Sequence, residues 1–527
     1  MNSLAIFLPL VILLSLGYRF YGTRICRLFD IDDRNPTPAH TKNDGLDYVP
    51  AKNWFVLFGH HFSSIAGAGP IVGPILAVSL WGWGPAVIWI AAGSIFMGAV
   101  HDLSSLMVSV REGGSSIAEV SRGVISERAR FLFLIFVWIA LVIVITVFAS
   151  ICADTFIAEP RIVVTSLGII PLALIVGLLI YRFQVSFLAS TLFGIIGIGA
   201  LILLGQRFPL ALRPENARNI WMAVLFIYAF FASVIPVNIL LQPRDYLCSF
   251  LLFTGLFFGS IGIIVTRPTM VAPAFISFES SQGPAFPMLF VIIACGALSG
   301  FHSIVASGTT SKQLPRESAA KKVAFGGMLL EGVLAAIAVI TVGITVSKQA
   351  PVEVFSQGFG QITAPFLGRY GSFLAALILN AFILTTLDTA TRINRYITEE
   401  LLPLKNHLLS TVLVLSVSGY LAFSGGWKTL WKMFGISNQL VGALALIVVS
   451  VWLMSKKKNC LFAIIPAIFM LTVTLSALVL SLIKFIDTGS TGLAVVSLLL
   501  LVLGLFLTIE GLRALIRKRR PKIEVLL

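Results

Sequence analysis

Apolar segments of about 20 residues recur along the whole chain and are separated by short polar turns. A helix needs about 20 residues to cross the roughly 30 Å hydrocarbon core of a bilayer. Hydrophobic residues make up 57% of the 527 residues and charged residues only 12%, against about 25% charged in a soluble domain. Strands that alternate apolar and polar residues, which are typical of outer-membrane barrels, are absent from the sequence pattern. With a mean hydropathy of +0.97, the chain is predicted to be an all-α polytopic membrane protein.

The apolar runs predict about fifteen transmembrane helices. The first run lacks a basic leader and is not followed by a cleavage site, so we expect it to remain as a membrane helix. The predicted organisation is an N-terminal helix and loop (1–53), a helical core (54–393), additional C-terminal helices (394–512) and a basic tail (513–527). The predicted helices span residues 3–20, 54–82, 84–110, 131–152, 162–181, 186–205, 219–242, 246–266, 287–307, 323–346, 370–393, 405–424, 436–454, 460–483 and 490–512.

Basic residues are distributed unevenly between the predicted loops. Alternate loops, beginning with 21–53, hold 28 of the 38 lysines and arginines. Loops rich in these residues face the cytoplasm in helical membrane proteins. The sequence therefore predicts an inner (plasma) membrane protein with its N-terminus outside and its C-terminus in the cytoplasm. The net charge of +15 is explained by topology and anionic lipid head groups, and nucleic-acid binding is not predicted.

Two apolar segments carry breaks that a lipid-exposed helix does not tolerate. The first, FGHHFSSIAGAGPIVGP at 58–74, contains four glycines and two prolines. The chain can unwind around Gly67, and a new half-helix can start at Pro70. The second, ASVIPVNILLQPRDY at 232–246, contains Pro236 and Pro243. Glycine and proline are common in membrane helices generally, but this density beside two histidines favours functional breaks.

The two breaks occupy the first and sixth helices of the predicted core, at 54–82 and 219–242. Two five-helix repeats that each open with a broken helix are typical of inverted-repeat transporters. In this five-plus-five architecture the breaks meet near the bilayer midplane, where freed N–H groups face an anion and freed carbonyls face a cation. We therefore expect the carboxylate of a small nutrient to bind at the start of the half-helix at Pro70. The predicted substrate-binding residues are His61, Ser63, Ser64, Gly67, Gly69, Pro70, Ser233, Asn238, Gln242 and Arg244.

Ionisable side chains at membrane depth are costly and are typical of ion or proton pathways. His60 and His61 precede the first break, and histidine titrates near neutral pH. A buried aspartate such as Asp388 takes up a proton when it has no partner, because burial disfavours its charge. The predicted proton- or cation-coupling residues are His60, His61, Asp102, His302, Thr309, Thr310 and Asp388.

Each of these assignments has a structural alternative. Asp388 can pair with Arg392 one turn later, and the histidines can simply donate hydrogen bonds between helices. Arg244 can bind a substrate carboxylate with two donors, or it can neutralise Asp245 or anchor the cytoplasmic end of its helix. The two threonines can help ligate a cation or can cap a turn.

Motifs for ATP-driven or hydrolytic chemistry are missing from the sequence. The chain contains no G-x-x-x-x-G-K-[ST], no H-E-x-x-H and no G-x-S-x-G, so an enzyme is not predicted. We expect no cofactor, with H⁺ as the coupling ion and Na⁺ as the second choice, and with the lipid bilayer and a small-molecule or peptide substrate as partners. Neither disulfides nor a metal site are predicted, because zinc spacing is absent from the five scattered cysteines, Cys26, Cys152, Cys248, Cys295 and Cys460.

Five stretches of the sequence carry a family resemblance: GHHFSSIAGAGPIVGP at 59–74, LQPRDYL at 241–247, ACGALSGFHSIVASGTTSKQL at 294–314, LTTLDTATRINRY at 384–396 and FGISNQLVGALAL at 434–446. They resemble the carbon starvation protein A (CstA) family of peptide transporters, which includes pyruvate–proton symporters. The resemblance implies import of a peptide or pyruvate in carbon starvation, and a fold similar to that of the amino acid–polyamine–organocation transporters. A channel is a weaker alternative because few charged residues could line a pore, and a nutrient sensor is weaker because no sizeable cytoplasmic domain is predicted.

Overall fold

The computed structural model describes residues 1–213, 215–345, 350–402, 406–424 and 427–519, and these residues form a bundle of long helices. Thirteen helices are long and apolar enough to cross a membrane, and a bent pair of shorter helices provides a fourteenth span. A shorter apolar helix, His407–Phe423, corresponds to the fifteenth predicted transmembrane helix, at 405–424. In this part of the chain the only strands are the two-residue arms of one hairpin, Glu279–Ser280 and Gly283–Pro284. The prediction of an all-α, multi-pass membrane protein is confirmed.

The helices follow the apolar runs but often extend beyond them. The helix predicted at 131–152 is Glu127–Ala158, because the hydroxyl of Ser126 accepts a hydrogen bond from the N–H of Ala129 and caps an earlier start. The domain boundaries given above remain a prediction. The thirteen spans are Leu4–Leu28, Trp83–Arg111, Glu127–Ala158, Arg161–Arg182, Phe187–Arg207, Ala217–Val234, Leu241–Thr266, Ala285–Lys312, Lys321–Ile344, Tyr370–Leu401, Leu430–Ser455, Leu461–Asp487 and Thr491–Arg517.

The helix Pro351–Leu367 lies in a segment that the apolar-run criterion assigns to a loop. Gln357 and Gln361 are exposed on one face, whereas Phe355 and Phe359 are buried on the other. An amphipathic helix of this kind has apolar residues three and four positions apart and therefore lacks a continuous apolar run. The amphipathic helix Ile117–Val124 was missed for the same reason, and the helix Pro38–Thr41 is a single turn within the first loop.

The predicted mid-span break in the helix at 219–242 is wrong. The helix ends at Val234, the chain turns at Pro236, and a separate full-length helix begins at Leu241. Pro243 lies in the first turn of that helix, where a missing N–H removes no intrahelical hydrogen bond. The two prolines therefore mark the boundary between two spans, and the five-plus-five repeat remains a prediction.

The second interrupted span is Ala285–Lys312. Its first helix ends at Ile293, the chain passes through a short 3₁₀ turn, and a second helix begins at Gly300. The side-chain oxygen of Asn438 caps that helix by accepting a hydrogen bond from the N–H of Phe301 at 2.7 Å. The interruption is built from small residues and an external cap, without a proline in the turn.

The loops group at the two ends of the bundle as the charge alternation predicts. At one end Asp47 of the first long loop pairs with Arg392, and the same loop bonds to the segment that follows Lys312. At the other end the N–H of Ile276 donates to the carbonyl of Trp81 at 3.1 Å. We call these the Asp47 end and the Trp81 end. The placement of the Asp47 end in the cytoplasm stays a prediction.

Candidate functional site

The broken span consists of two half-helices, Trp54–Ile65 and Gly69–Trp81, which meet at an angle of 42°. The side chain of Asn53 caps the first half-helix by accepting from two of its N–H groups. The second half-helix has Pro70 in its first turn, where proline is favoured. The predicted break around Gly67 is therefore confirmed.

The two interrupted spans cross in direct contact, and glycines make this contact possible. A Cβ atom on Gly69 would lie 2.5 Å from Sγ of Cys295, and one on Gly73 would lie 2.5 Å from the carbonyl oxygen of Ile292. Both distances are well below van der Waals contact, so a side chain cannot be accommodated without moving a neighbour. The break thus adjoins the interruption in Ala285–Lys312, not the turn at Pro236.

Hydroxyl groups on the helix Tyr370–Leu401 satisfy carbonyls that the break leaves free. Thr385 donates to the carbonyl of Ser63 at 2.5 Å, and Thr386 donates to the carbonyl of Ser64 at 3.0 Å. The last carbonyls of any helix lack intrahelical partners. The break is therefore held by a neighbouring helix and is shielded from lipid, as membrane-depth irregularity requires.

Arg244 is buried and shared between two carboxylates. Its Nη1 donates to Asp388, and its Nη2 donates to Oδ1 of Asp245 at 3.0 Å and to Oδ1 of Asp388 at 3.3 Å. The hydroxyl of Tyr228 donates to Oδ2 of Asp388 at 2.5 Å. We call these four residues the Arg244 cluster. It places one guanidinium against two carboxylates, and Arg244 itself is 2% exposed.

Two histidines connect the broken span to its surroundings. Nδ1 of His60 lies 2.6 Å from Oδ2 of Asp245, which joins the first half-helix to the Arg244 cluster. Nε2 of His60 lies 3.4 Å from Oγ1 of Thr309, and Nδ1 of His61 lies 2.8 Å from Oγ1 of Thr310. The two threonines that end the second interrupted span therefore face the two histidines of the first.

A second group of ionisable side chains is also fully buried. Oδ1 of Asp102 lies 3.2 Å from Nδ1 of His101, and its Oδ2 lies 3.0 Å from Nδ1 of His302. Nε2 of His302 lies 3.2 Å from Oε2 of Glu331. We call these four residues the Glu331 cluster. They come from three spans, Trp83–Arg111, Ala285–Lys312 and Lys321–Ile344, so tertiary packing alone brings them together.

The structure gathers most of the predicted site residues, but in two places. Asp102 and His302 belong to the Glu331 cluster. Gln242 joins the other group because its Nε2 donates to Oε1 of Gln313, which in turn lies beside His60. The residues around the break and the Arg244 cluster are His60, His61, Ser63, Ser64, Gly67, Gly69, Pro70, Gln242, Arg244, Thr309, Thr310 and Asp388.

Ser233 and Asn238 do not complete this site. Ser233 pairs with Thr411 at 3.2 Å on another helix. Asn238 lies in the turn that follows Pro236, and this turn bonds to the first loop at the Asp47 end. Both residues are displaced because the helix ends before the predicted break.

The predicted alternative pairing of Asp388 with Arg392 is also wrong. Asp388 pairs with Arg244, whereas Arg392 donates to Asp47 at 2.8 Å and to the carbonyls that end the helix Ala217–Val234. The alternative in which Arg244 neutralises Asp245 is confirmed, since the two side chains are paired.

Seven residues of the two clusters and the break were not among the predicted site residues. Two of them, Asp245 and His101, directly adjoin the predicted residues Arg244 and Asp102 in the sequence. Glu331 is the only acidic residue in its span, so the rule applied to Asp388 could have identified it. Thr385 and Thr386 lie three and two residues before Asp388, in the stretch LTTLDTATRINRY. Tyr228 and Gln313 carry no comparable sequence signal, because a tyrosine or glutamine near a helix end is commonplace.

The first long loop covers the Asp47 end beside these residues. Asp47 accepts hydrogen bonds from Arg392 at 2.8 Å and from the hydroxyl of Tyr396 at 2.5 Å. Burial raises the pKa of Asp47, but the charges of Arg392 and Arg395 outweigh this effect and hold it below its ordinary value. The loop also reaches the buried network, because Gln242 donates to the carbonyl of Val49 at 3.3 Å.

A cavity of about 540 Å³ lies at the Trp81 end. It reaches Val72, less than one turn beyond the start of the second half-helix, and the charged residues of its wall are Lys432, Glu353 and Asp154. Beside Arg244 there is only a void of about 10 Å³, which is the size of one water molecule. Among the described residues, no group of three or more His, Cys, Asp or Glu has the geometry of a metal site.

Known proteins resemble this chain along nearly its whole length. The family model of the carbon starvation protein CstA matches residues 2–349 and 344–477. The peptide transporter CstA of Bacillus subtilis is 31% identical over 97% of this chain and 97% of its own length. The peptide transporter CstA of Escherichia coli is 33% identical over 90% of this chain and 80% of its own length. The pyruvate/proton symporter BtsT of Escherichia coli is 31% identical over 88% of this chain and 80% of its own length.

A solved structure supports the fold alone. The Eremococcus coleocola manganese transporter, in complex with an aromatic bis-isothiourea substituted compound, aligns over 90% of this chain and 99% of its own length with a TM-score of 0.54. The two sequences are 15% identical.

Proposed function

The chain belongs to the carbon starvation protein CstA family, and on this premise we propose that it is a secondary active transporter that imports a small carboxylate-bearing nutrient together with protons. The names of its relatives, peptide transporter and pyruvate/proton symporter, support a peptide or pyruvate as the nutrient. The family description favours a role when carbon is scarce.

The observation that carries the proposal is the sharing of Arg244 between Asp245 and Asp388. A guanidinium binds a carboxylate with two parallel donors, and this geometry serves a substrate carboxylate as well as an aspartate. One buried positive charge facing two buried negative charges leaves an excess negative charge that a proton can neutralise. Asp388 is the group that takes this proton in the proposal, because it holds both Nη atoms of Arg244, whereas Asp245 holds only Nη2.

Proton uptake and substrate binding are then linked by competition for one guanidinium. Protonation of Asp388 forms an O–H bond and removes the charge that holds the Nη atoms of Arg244. The substrate carboxylate takes the place of Asp388 on Arg244, and the net charge of the site is restored when one proton and one carboxylate enter together. Release of the proton from Asp388 on the other side restores the ion pair and expels the substrate.

The surroundings of the site fit alternating access. With the predicted orientation, the cavity at the Trp81 end lies on the outer side and reaches the second half-helix at Val72. The loop that carries Asp47 closes the inner side. The side chains of the Arg244 cluster are buried, which supports an occluded transporter site over the continuous polar path that a channel needs.

Uptake into proteoliposomes tests the proposal. Labelled pyruvate and labelled alanyl-alanine are supplied with an inward proton gradient alone, an inward sodium gradient alone, or neither, and a trapped dye reports internal pH. We expect saturable uptake of at least one compound in the proton arm, with internal acidification and loss of uptake on addition of a protonophore. Protein-free vesicles are the control.

Each contrary result has a distinct meaning. Uptake that rises linearly with concentration contradicts a transporter and favours a channel. Uptake driven only by sodium contradicts proton coupling at Asp388. Failure to take up either compound contradicts the proposed substrate class.

A further inference from the structure

Glu331 is a buried carboxylate that the exchange at Arg244 does not use. Its side chain is inaccessible to solvent, and it is the only acidic residue in the span Lys321–Ile344. Neither of its oxygens has a hydrogen-bond partner among the described residues. A carboxylate in this situation is stable only if it holds a proton or pairs with a cation, since an isolated buried charge is very costly.

The groups that face Glu331 are histidines and one further carboxylate. Nε2 of His302 is 3.2 Å away on the second interrupted span, and the other nitrogen of that ring lies 3.0 Å from Asp102. The carboxylate of Asp102, on the span Trp83–Arg111, and the thiol of Cys295 are the other ionisable groups close enough to interact electrostatically with Glu331. His61 packs against Gly327, one turn before Glu331. No lysine or arginine within the described ranges forms an ion pair with Glu331 or Asp102.

The formal charges of the Glu331 cluster allow it to bind one additional proton. With both imidazoles neutral, His101 and His302 can each donate an Nδ1–H to Asp102. A protonated Glu331 lies 3.2 Å from Nε2 of His302, and reorientation of its carboxyl group would form a hydrogen bond there. This state carries one net negative charge, from Asp102. One additional proton, which makes His302 an imidazolium between the two carboxyl groups, brings the cluster to neutrality.

We infer that Glu331 and His302 bind a second coupling proton, separate from the one at Asp388, so that each substrate carboxylate is imported with two protons. This inference rests on the proposed function. In the uptake step the O–H bond of Glu331 breaks as an N–H bond forms at Nε2 of His302, and the incoming proton then forms a new O–H bond on Glu331, so that the cluster becomes neutral. No other reactant is needed.

The placement of the cluster explains how the second proton is coupled to transport. His302 belongs to an interrupted span, whereas Glu331 and Asp102 belong to continuous spans. A shift of the half-helix that begins at Gly300 changes the 3.2 Å separation between His302 and Glu331. In the proposed cycle, binding and release of the proton accompany a shift of this half-helix, which contacts the broken span.

The charge moved per substrate molecule tests this inference. Two protons with one pyruvate carry one net positive charge, whereas one proton with one pyruvate carries none. We expect the wild type to produce a current on a solid-supported membrane whose integrated charge matches labelled pyruvate uptake one to one. For a zwitterionic dipeptide, which has no net charge, import with two protons carries two net positive charges and import with one proton carries one.

The variant Glu331→Gln keeps the shape of the side chain and removes the titratable group. We expect it to lose the current with pyruvate, to retain uptake driven by a pH gradient, and to retain exchange of labelled for unlabelled pyruvate at zero gradient. The matched control is Glu112→Gln, which changes a carboxylate that accepts from Trp452 at 2.7 Å near the Asp47 end. This control should leave the charge ratio unchanged.

Several results would overturn the inference. A wild-type ratio of zero charges per pyruvate contradicts it directly, and so does an unchanged ratio in Glu331→Gln. Loss of exchange in a folded Glu331→Gln would show that the residue is needed for substrate binding instead. If this variant does not fold, His302→Gln must show the same loss of current, and the wild-type ratio remains decisive by itself. A wild type that takes up neither pyruvate nor dipeptide would instead overturn the proposed function, and this inference with it.

Discussion

The substitution Gly73→Ala probes the contact between the two interrupted spans. A Cβ atom at this position would lie 2.5 Å from the carbonyl oxygen of Ile292, 2.8 Å from that of Ile293 and 3.0 Å from Cα of Ile293. All three atoms are backbone, so no side-chain rotation can relieve the overlap. Ordinary contact begins at about 3.4 Å, and the second half-helix must therefore move by roughly 0.9 Å. Forced overpacking of this kind typically costs about 1–3 kcal/mol.

The gain from replacing a helical glycine opposes this cost. Alanine is favoured over glycine in a helix interior by up to about 1 kcal/mol, so we expect Gly73→Ala to destabilise the protein by about 1–2 kcal/mol overall. Gly199 is the matched control, because it lies in the helix Phe187–Arg207 and a Cβ there meets no atom within 4 Å. Gly199→Ala should be neutral or stabilising by up to about 1 kcal/mol.

Thermal unfolding of the detergent-solubilised protein, followed by tryptophan fluorescence, measures both variants. The Tm of Gly73→Ala should fall below that of the wild type, and the Tm of Gly199→Ala should equal or exceed it. Uptake by Gly73→Ala should also fall, because the half-helix that carries Pro70 is displaced. A Gly73→Ala protein as stable as Gly199→Ala would refute the close crossing of the two spans.

Two further predictions concern the elements that hold the site in place. Asp47→Asn should lower the free energy of unfolding by about 1.5–3 kcal/mol, because charge-assisted hydrogen bonds from Arg392 and Tyr396 are lost, and limited proteolysis should cut the first loop faster. The lowered pKa of Asp47 keeps the carboxylate ionised well below pH 5, so its contribution is lost only at more acidic pH and the difference from wild type should be constant from pH 5 to 8. Asn438→Ala should lower the free energy of unfolding by about 0.5–2 kcal/mol because it removes the cap at Phe301. The hydroxyl of Ser437 donates within its own helix, so the control Ser437→Ala should have little effect. Equal Tm values for these two variants would contradict the capping role.

The first break could be predicted from the sequence because its chemistry is local. Glycines that unwind a helix and a proline that starts the next one lie within a few residues of each other around Gly67 and Pro70. The same reasoning failed at Pro236, because proline is also common at a boundary between two helices. It also passed over the interruption at 294–299, where the chain relies on Asn438, a residue more than a hundred positions away.

For the charged residues, too, the sequence identifies the buried positions but not the partners that tertiary packing brings to them. Asp388, Asp102 and His302 could be identified as buried ionisable groups from hydropathy alone. Their partners could not, because Asp388 meets Arg244 from another span and Arg392, one turn away on its own helix, points elsewhere. Pairing within one helix is the only pairing that a sequence displays, so the alternative considered for Asp388 named the wrong partner.

Arg244 has a structural and a functional role, and paired substitutions at Arg244 and Asp388 separate them. Arg244→Gln alone leaves two buried carboxylates without their guanidinium, and breaking such a pair costs about 3–5 kcal/mol. Adding Asp388→Asn removes one of these charges and leaves Asp245 with His60 at 2.6 Å, so the double variant should regain much of the lost stability. It should nevertheless take up neither pyruvate nor dipeptide, because the carboxylate has lost its ligand. A stable double variant that still transports would show that Arg244 serves only to neutralise the aspartates.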